Sequence, residues 1–110
     1  MAAPALLAAL RDPADVAWAT ALNATWKTLS RAATPDAARC RSSLLAPRKP
    51  FVAPGGRFRE PYYWDSYWTV EGLLVCEAFG AARHTIENLF DYVDAFGFVP
   101  NGAKPSSEML

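Results

Sequence analysis

Between Pro54 and Tyr67 the chain reads Pro-Gly-Gly-Arg-Phe-Arg-Glu-Pro-Tyr-Tyr-Trp-Asp-Ser-Tyr. No other stretch carries so many groups able to hold a polar ligand. Arg57 offers a rigid fork of donors. Tyr62, Tyr63 and Trp64 are flat apolar bodies with polar edges. Asp65 can accept hydrogen bonds from two neighbouring hydroxyls at once. Gly55 and Gly56 open backbone angles closed to other residues and let chain or ligand come close. A donor fork, a stacking ring and a double acceptor beside a glycine turn suit the lining of a sugar site. Glu60 is a carboxylate in the same stretch, and its plainer role is a structural pairing with Arg57 or Arg59.

The remaining reactive residue types form no comparable group. His84 is the only histidine and has no carboxylate at a catalytic spacing, so it reads as a surface or capping residue. Cys40 and Cys76 cannot build a disulfide framework; they read as free, mostly buried thiols, with a single bridge between them as the alternative. Cys, His and carboxylates show no metal-ligand grouping, and no phosphate loop or nucleophile motif is present, so neither metal nor organic cofactor is implied. Formal net charge is zero over 110 residues, which gives no electrostatic case for nucleic acid or an anionic membrane. The locally basic Arg39, Arg41, Arg48 and Lys49 lack interleaved aromatics and read as a solvated loop rather than a phosphate-binding patch. No segment reaches the about 18 apolar residues of a membrane span.

The elements that must position the aromatic stretch can be read from periodicity. Residues 1–10 look like the end of a preceding helix, with a signal segment as the alternative; the run lacks a positive n-region. Asp12-Pro13 opens the first clear helix as N-cap and first helical residue. Trp18, Leu22, Trp26 and Leu29 form its apolar stripe, with both tryptophans expected in the core. Asn23-Ala24-Thr25 matches a glycosylation acceptor, but inside a predicted helix it reads as a chance match. Residues 33–53 form a Pro-rich loop tacked to the core by Leu44, Leu45, Phe51 and Val52, with 50–54 extended. The second helix is expected to start at Asp65 or Ser66, either of which can cap it, and to end at Gly80. It is apolar nearly all round, so it must be buried on nearly all sides. The third is expected over Arg83–Phe96, closed by Gly97. Ile86, Leu89, Phe90 and Val93 form its apolar stripe, and Arg83, Glu87, Asn88, Asp91 and Asp94 its wet face. An inner helix followed by an outer one is the unit that, repeated, builds an (α/α) barrel.

The central stretch resembles the signature of trehalases, the inverting glycoside hydrolases that split trehalose into two glucoses. That signature is Pro-Gly-Gly-Arg-Phe, one free residue, Glu, one free residue, Tyr, one free residue, Trp-Asp, one free residue, Tyr. Pro54, Gly55, Gly56, Arg57, Phe58, Glu60, Tyr62, Trp64, Asp65 and Tyr67 meet every fixed position. The continuation Tyr67-Trp68-Thr69-Val70-Glu71-Gly72-Leu73-Leu74 and the turn Gly97-Phe98-Val99-Pro100-Asn101-Gly102 resemble the family as well. The resemblance runs over about residues 6 to 104 and is weakest in the loop.

The resemblance implies an all-α fold: about three helices of an (α/α)6 toroid with a long Pro-rich loop, residues 1–110 being a fragment of one catalytic domain and 105–110 a tail unlike the family. It implies that Arg57, Trp64, Asp65 and Asn101 contact glucose at the cleavage subsite, with trehalose or glucose as the small-molecule partner. Three of them also have a structural reading: Asp65 as a helix cap, Trp64 as core, Asn101-Gly102 as a turn. It implies that Glu60 is not catalytic. The family's catalytic aspartate and glutamate lie downstream of the Pro-Asn-Gly turn, so no catalytic residue is expected in this chain. The expected function is hydrolysis of trehalose with inversion in the full-length protein, the isolated chain being inactive. The alternative is a non-catalytic sugar-binding or decoy fragment.

Overall fold

The computed structural model describes residues 4–34 and 45–103. Among them lie a 3₁₀ turn at Ala5–Ala9, helix α1 at Pro13–Leu29, strand β1 at Ser30–Arg31, strand β2 at Phe51–Val52, helix α2 at Tyr63–Val75 and helix α3 at Phe79–Phe96. Three helices dominate, with one small antiparallel ribbon in which Ser30 faces Val52 and Arg31 faces Phe51. The ribbon continues as Ala53 N–H donates to Leu29 C=O at 2.9 Å. Expected as extended from its prolines, the segment before the glycine turn is thus half of a strand pair. Leu44 and most of the loop's basic and polar residues (Arg39, Cys40, Arg41, Ser42, Ser43) lie outside the described residues. The helix expected at residues 1–10 is instead a single 3₁₀ turn over Ala5–Ala9. No described helix is long and apolar enough to cross a membrane.

Helix α1 begins as its sequence requires. Asp12 accepts from Ala14 N–H at 2.8 Å, and Pro13 fills the first helical position without loss of a donor. Its stripe is only partly used. Trp26 packs on the core of Leu73, Ala78 and Ala82. Gly72 exists for that ring: a Cβ there would stand 3.1 Å from it. Trp18 is 68 % exposed, contrary to the expected core placement. It borders an apolar cleft of about 420 Å³ between α1 and α2, with Leu22, Val75 and Cys76. Asn23 shares that cleft with its amide oxygen buried in mid-helix, unlike a loop acceptor for a glycan. Cys76 is a half-buried free thiol.

The boundary between α2 and α3 differs from the expectation. Helix α2 starts two residues before Asp65 and stops at Val75, and α3 already starts at Phe79, so Gly80 lies inside a helix rather than ending one. The left-handed residue that closes α2 is Glu77, with φ 58°. Ala78 N–H donates to Leu73 C=O at 2.8 Å, and Glu77 N–H to Leu74 C=O at 3.0 Å. These are the two bonds of a Schellman closure, with Ala78 and Leu73 in apolar contact across it. A left-handed non-glycine costs about 1–2 kcal/mol, which is why sequence pointed to the nearby glycine instead. Gly97, at φ 79°, does end α3 as expected, donating to Val93 C=O.

The largest departure is the orientation of α3. Its buried residues are Ala82, Thr85, Asn88 and Tyr92. Of the expected core stripe, Ile86, Phe90 and Val93 are exposed and Leu89 is half-buried, whereas Asn88 of the expected wet face is 2 % exposed. The cause is the strap leading into β2. Asn88 Oδ1 accepts from Lys49 N–H at 3.0 Å, and its Nδ2 donates to Lys49 C=O at 3.0 Å, so one amide pairs with the strap backbone as a neighbouring strand would. Tyr92 hydroxyl donates to Leu45 C=O at 2.8 Å. Arg48 forks onto Asp91, and Lys49 and Arg83 both meet Glu87. The charges read as a wet face are therefore a docking surface for the strap, and Arg48 and Lys49 are ion-paired rather than simply solvated. Helix α2 likewise keeps only Ser66 and Leu73 buried. Trp64, Tyr67, Trp68, Leu74 and Val75 are exposed, so these three helices do not enclose a helix that is apolar on nearly all sides.

Two outcomes follow for the strap. Asn88→Ala would leave the Lys49 N–H and C=O unpaired under cover and is expected to lower unfolding free energy by about 2 kcal/mol in denaturant titration. Lys49 first, then Arg83, holds the Glu87 carboxyl down from 4.5 to about 2. Its contribution is therefore present above pH 4.5 and lost as pH falls toward 2; acid unfolding monitored in that window should be shifted to higher pH in Lys49→Met.

Candidate sugar-binding site

The site residues hang on a tight turn, a helix start and a second turn. At the tight turn, Gly55 N–H donates to Phe58 C=O at 3.3 Å and Phe58 N–H to Gly55 C=O at 3.0 Å. The loop residues of this two-residue hairpin are Gly56 and Arg57; Gly56 takes the positive φ (58°) required at the first position, and the flanking Gly55 has φ 120°. Arg57 sits at the exposed tip with its guanidinium 4.9 Å above the Phe58 ring. Phe58 in turn meets Tyr62 edge-to-face, 5.4 Å between centroids. The turn that carries Arg57 is thereby tied to Tyr62, the residue that opens α2.

The first turn of α2 presents Trp64 and Asp65. A helix start leaves backbone N–H groups without intrahelical partners. Tyr62, at the N-cap, supplies no side-chain capping bond. Asn101 supplies both caps from across the chain: its C=O accepts Tyr63 N–H at 2.8 Å, and its Oδ1 accepts Trp64 N–H at 3.3 Å. Tyr62 and Gly102 form a backbone bridge beside this, and Ala103 N–H donates to Pro61 C=O at 3.2 Å. Ser66, which was a candidate cap, turns its hydroxyl back onto Tyr62 C=O at 2.6 Å.

These contacts bear on the structural alternatives for three of the four residues. Asp65 is not the cap; it lies in the first turn with capping done by Asn101, and its carboxylate remains half-buried. Trp64 is 72 % exposed and so is not packed among the described residues. Asn101 is more than a turn residue, since it closes the helix start. With Oδ1 committed to Trp64, its Nδ2 is the donor left to face a ligand. Trp64, Asp65 and Asn101 are thus joined directly, and Arg57 joins them through Phe58 and Tyr62. The Glu60 carboxylate, 6 % exposed, accepts the Tyr62 hydroxyl at 2.9 Å, a partner that sequence reasoning missed in favour of the arginines. The double capping by Asn101 was missed too, because a partner 37 residues away leaves no local signal.

A flat exposed ring, a carboxylate and an amide donor at one helix start, with a guanidinium on the turn tied to it, are groups that suit a pyranose by stacking and paired hydrogen bonds. The trehalase family model matches residues 2–105. The chain belongs to the trehalase family. It is similar to the trehalase of Pimpla hypochondriaca, 43 % identical over 103 residues, and to that of Oryctolagus cuniculus, 42 % identical over the same length. Each alignment covers 92 % of this chain and 18 % of the relative. A probable trehalase of Oryza sativa subsp. japonica is 47 % identical over 90 residues, covering 80 % of this chain and 16 % of its own length. The chain therefore spans about a fifth of the length of the trehalases it matches.

The capping geometry yields a separable outcome. Asn101→Ala removes the Oδ1 acceptor and is expected to cost about 1 kcal/mol. Asn101→Asp keeps an acceptor and places a negative charge at the helix N-terminus, so its loss should stay below about 0.5 kcal/mol. Thermal unfolding of the two variants against the parent checks the difference.

Proposed function

We propose that this chain supplies one wall of the glucose subsite of a trehalase that hydrolyses α,α-trehalose with inversion. The observation that carries the reading is the helix start of α2, where Asn101 caps the turn that presents an exposed Trp64 and an uncommitted Asp65. Trp64 would stack on the apolar face of the ring. Asp65 would accept from two adjacent hydroxyls, Asn101 Nδ2 would donate to a third, and Arg57 would donate from the glycine turn.

These groups bind and orient; none is placed to do both halves of an inverting cleavage. That reaction needs one carboxylic acid to protonate the glycosidic oxygen and a second carboxylate, on the opposite face, to activate water. In this reading both are supplied by parts of the domain beyond the present chain. The three helices are then part of an (α/α) barrel. The exposed faces of α2 (Trp68, Leu74, Val75) and α3 (Ile86, Phe90, Val93) support that architecture, since patches of this kind on a soluble domain mark contact surfaces.

The isolated 110-residue chain is expected to release no glucose from trehalose, whereas the whole protein releases it. Glucose release by the chain alone would overturn the division of labour. Binding of glucose or trehalose to the isolated chain tighter than about millimolar in calorimetry would favour a sugar-binding fragment over part of an enzyme. In the whole protein, Asn101→Asp removes the Nδ2 donor without removing the cap, and kcat/KM should fall by about 100-fold while the melting temperature holds.

A further inference from the structure

We propose that Tyr62, locked by Glu60, is the positioning residue that fixes Arg57 relative to Trp64, Asp65 and Asn101. The inference rests on the glucose-subsite reading above. Several ties of the site meet at Tyr62. Its ring takes the edge-to-face contact with Phe58, whose own face carries the Arg57 guanidinium. Its backbone bridges to Gly102, next to Asn101. Its C=O receives both the N–H and the hydroxyl of Ser66, anchoring the first turn of α2. Backbone bonds hold the Tyr62 main chain in place, but they do not set the direction of its ring. That direction is set by its hydroxyl, which donates to the buried Glu60 Oε1 at 2.9 Å.

The consequence is mechanical. The glycine turn of Arg57 closes on itself through Gly55 and Phe58, so Arg57 has a well-defined place within the turn. What relates that turn to α2 is the Phe58–Tyr62 contact. If the Tyr62 ring swings, the Phe58 ring and the guanidinium above it shift with it, while Trp64, Asp65 and Asn101 stay with the helix. A shift of about 1 Å in one member of a binding constellation can cost on the order of 100-fold in rate. Glu60 therefore acts on the site without facing the sugar, as a carboxylate that orients a ring. This also accounts for its burial so near to, yet apart from, the exposed groups.

The test is a double-mutant cycle in the whole protein, read by steady-state kinetics on trehalose and by thermal unfolding. Tyr62→Phe keeps the ring and deletes the hydroxyl; Glu60→Ala deletes the acceptor; Glu60→Gln retains an oxygen that can accept it. Tyr62→Phe and Glu60→Ala should each lower kcat/KM by about tenfold, and the double variant should be no worse than either single one, because both break the same bond. Glu60→Gln should recover most of the activity. A second Arg57→Ala substitution should lose little further activity in the Tyr62→Phe background, compared with its effect in the parent, since Arg57 is already displaced there. Multiplicative losses, or wild-type kinetics in Tyr62→Phe, would overturn the assignment. If Glu60→Ala fails to fold, Tyr62→Phe with Arg57→Ala decides alone. Absence of glucose release from the unmodified whole protein would instead overturn the glucose-subsite reading itself, and the two failures are thereby told apart.

Discussion

The arrangement depends on how the N-terminus of α2 is satisfied. A helix that starts at Tyr63 directly behind Pro61 and Tyr62 brings no side-chain cap of its own. Its first two N–H groups are taken by the backbone and side chain of Asn101 instead. One residue therefore stitches the end of the described chain to its middle. The stitch leaves Asp65 uncapped and unspent, and holds Trp64 with its ring outward. Were Asp65 the cap, the helix would start later and the carboxylate would be consumed by backbone.

The strap that docks on α3 is the counterpart on the other side of the fold. Asn88 pairs with the backbone of Lys49, Tyr92 with that of Leu45, and the carboxylates of Glu87 and Asp91 take the strap's cations. Burial first, and the charge of Asp91 second, push the Tyr92 hydroxyl up to about 12, so it stays protonated as a donor through the neutral range. Polar side chains thereby perform what a third strand would: they satisfy backbone that would otherwise be covered and unpaired. With that face occupied, the aliphatic and aromatic face of α3 turns outward, as does much of α2. A family relationship in which this chain matches about a fifth of its relatives' length is consistent with helices built to be packed from more than one side.

The proposed subsite would present its groups rigidly although two of them sit on turns. Arg57 is at a hairpin tip and Asn101 is in a loop, both ordinarily mobile settings. Each is bound back to α2, the first through an edge-to-face ring pair and the second through capping bonds. Rigid presentation matters for a sugar, because several weak hydroxyl contacts must be met together and ordering them separately would offset their sum.

Much of this was legible in the sequence, and the exceptions share one cause. Asp12-Pro13 as a helix start, Gly97 as a helix end, the glycine turn before Arg57, the three-helix content and the family signature are all local patterns, set by backbone sterics and side-chain type within a few residues. Tertiary structure alone decided which residue caps α2, which face of α3 is buried and where α2 stops. Each of these turned on a partner distant in the chain or on a local cost outweighed elsewhere. Asn101 acts across 37 residues and Asn88 across 39. Glu77 tolerates a left-handed backbone within a closure that packs Leu73 against Ala78. An asparagine on an otherwise charged helix face looks wet in sequence because its hydrogen-bonding capacity is visible there, while the strap backbone that fills it is not.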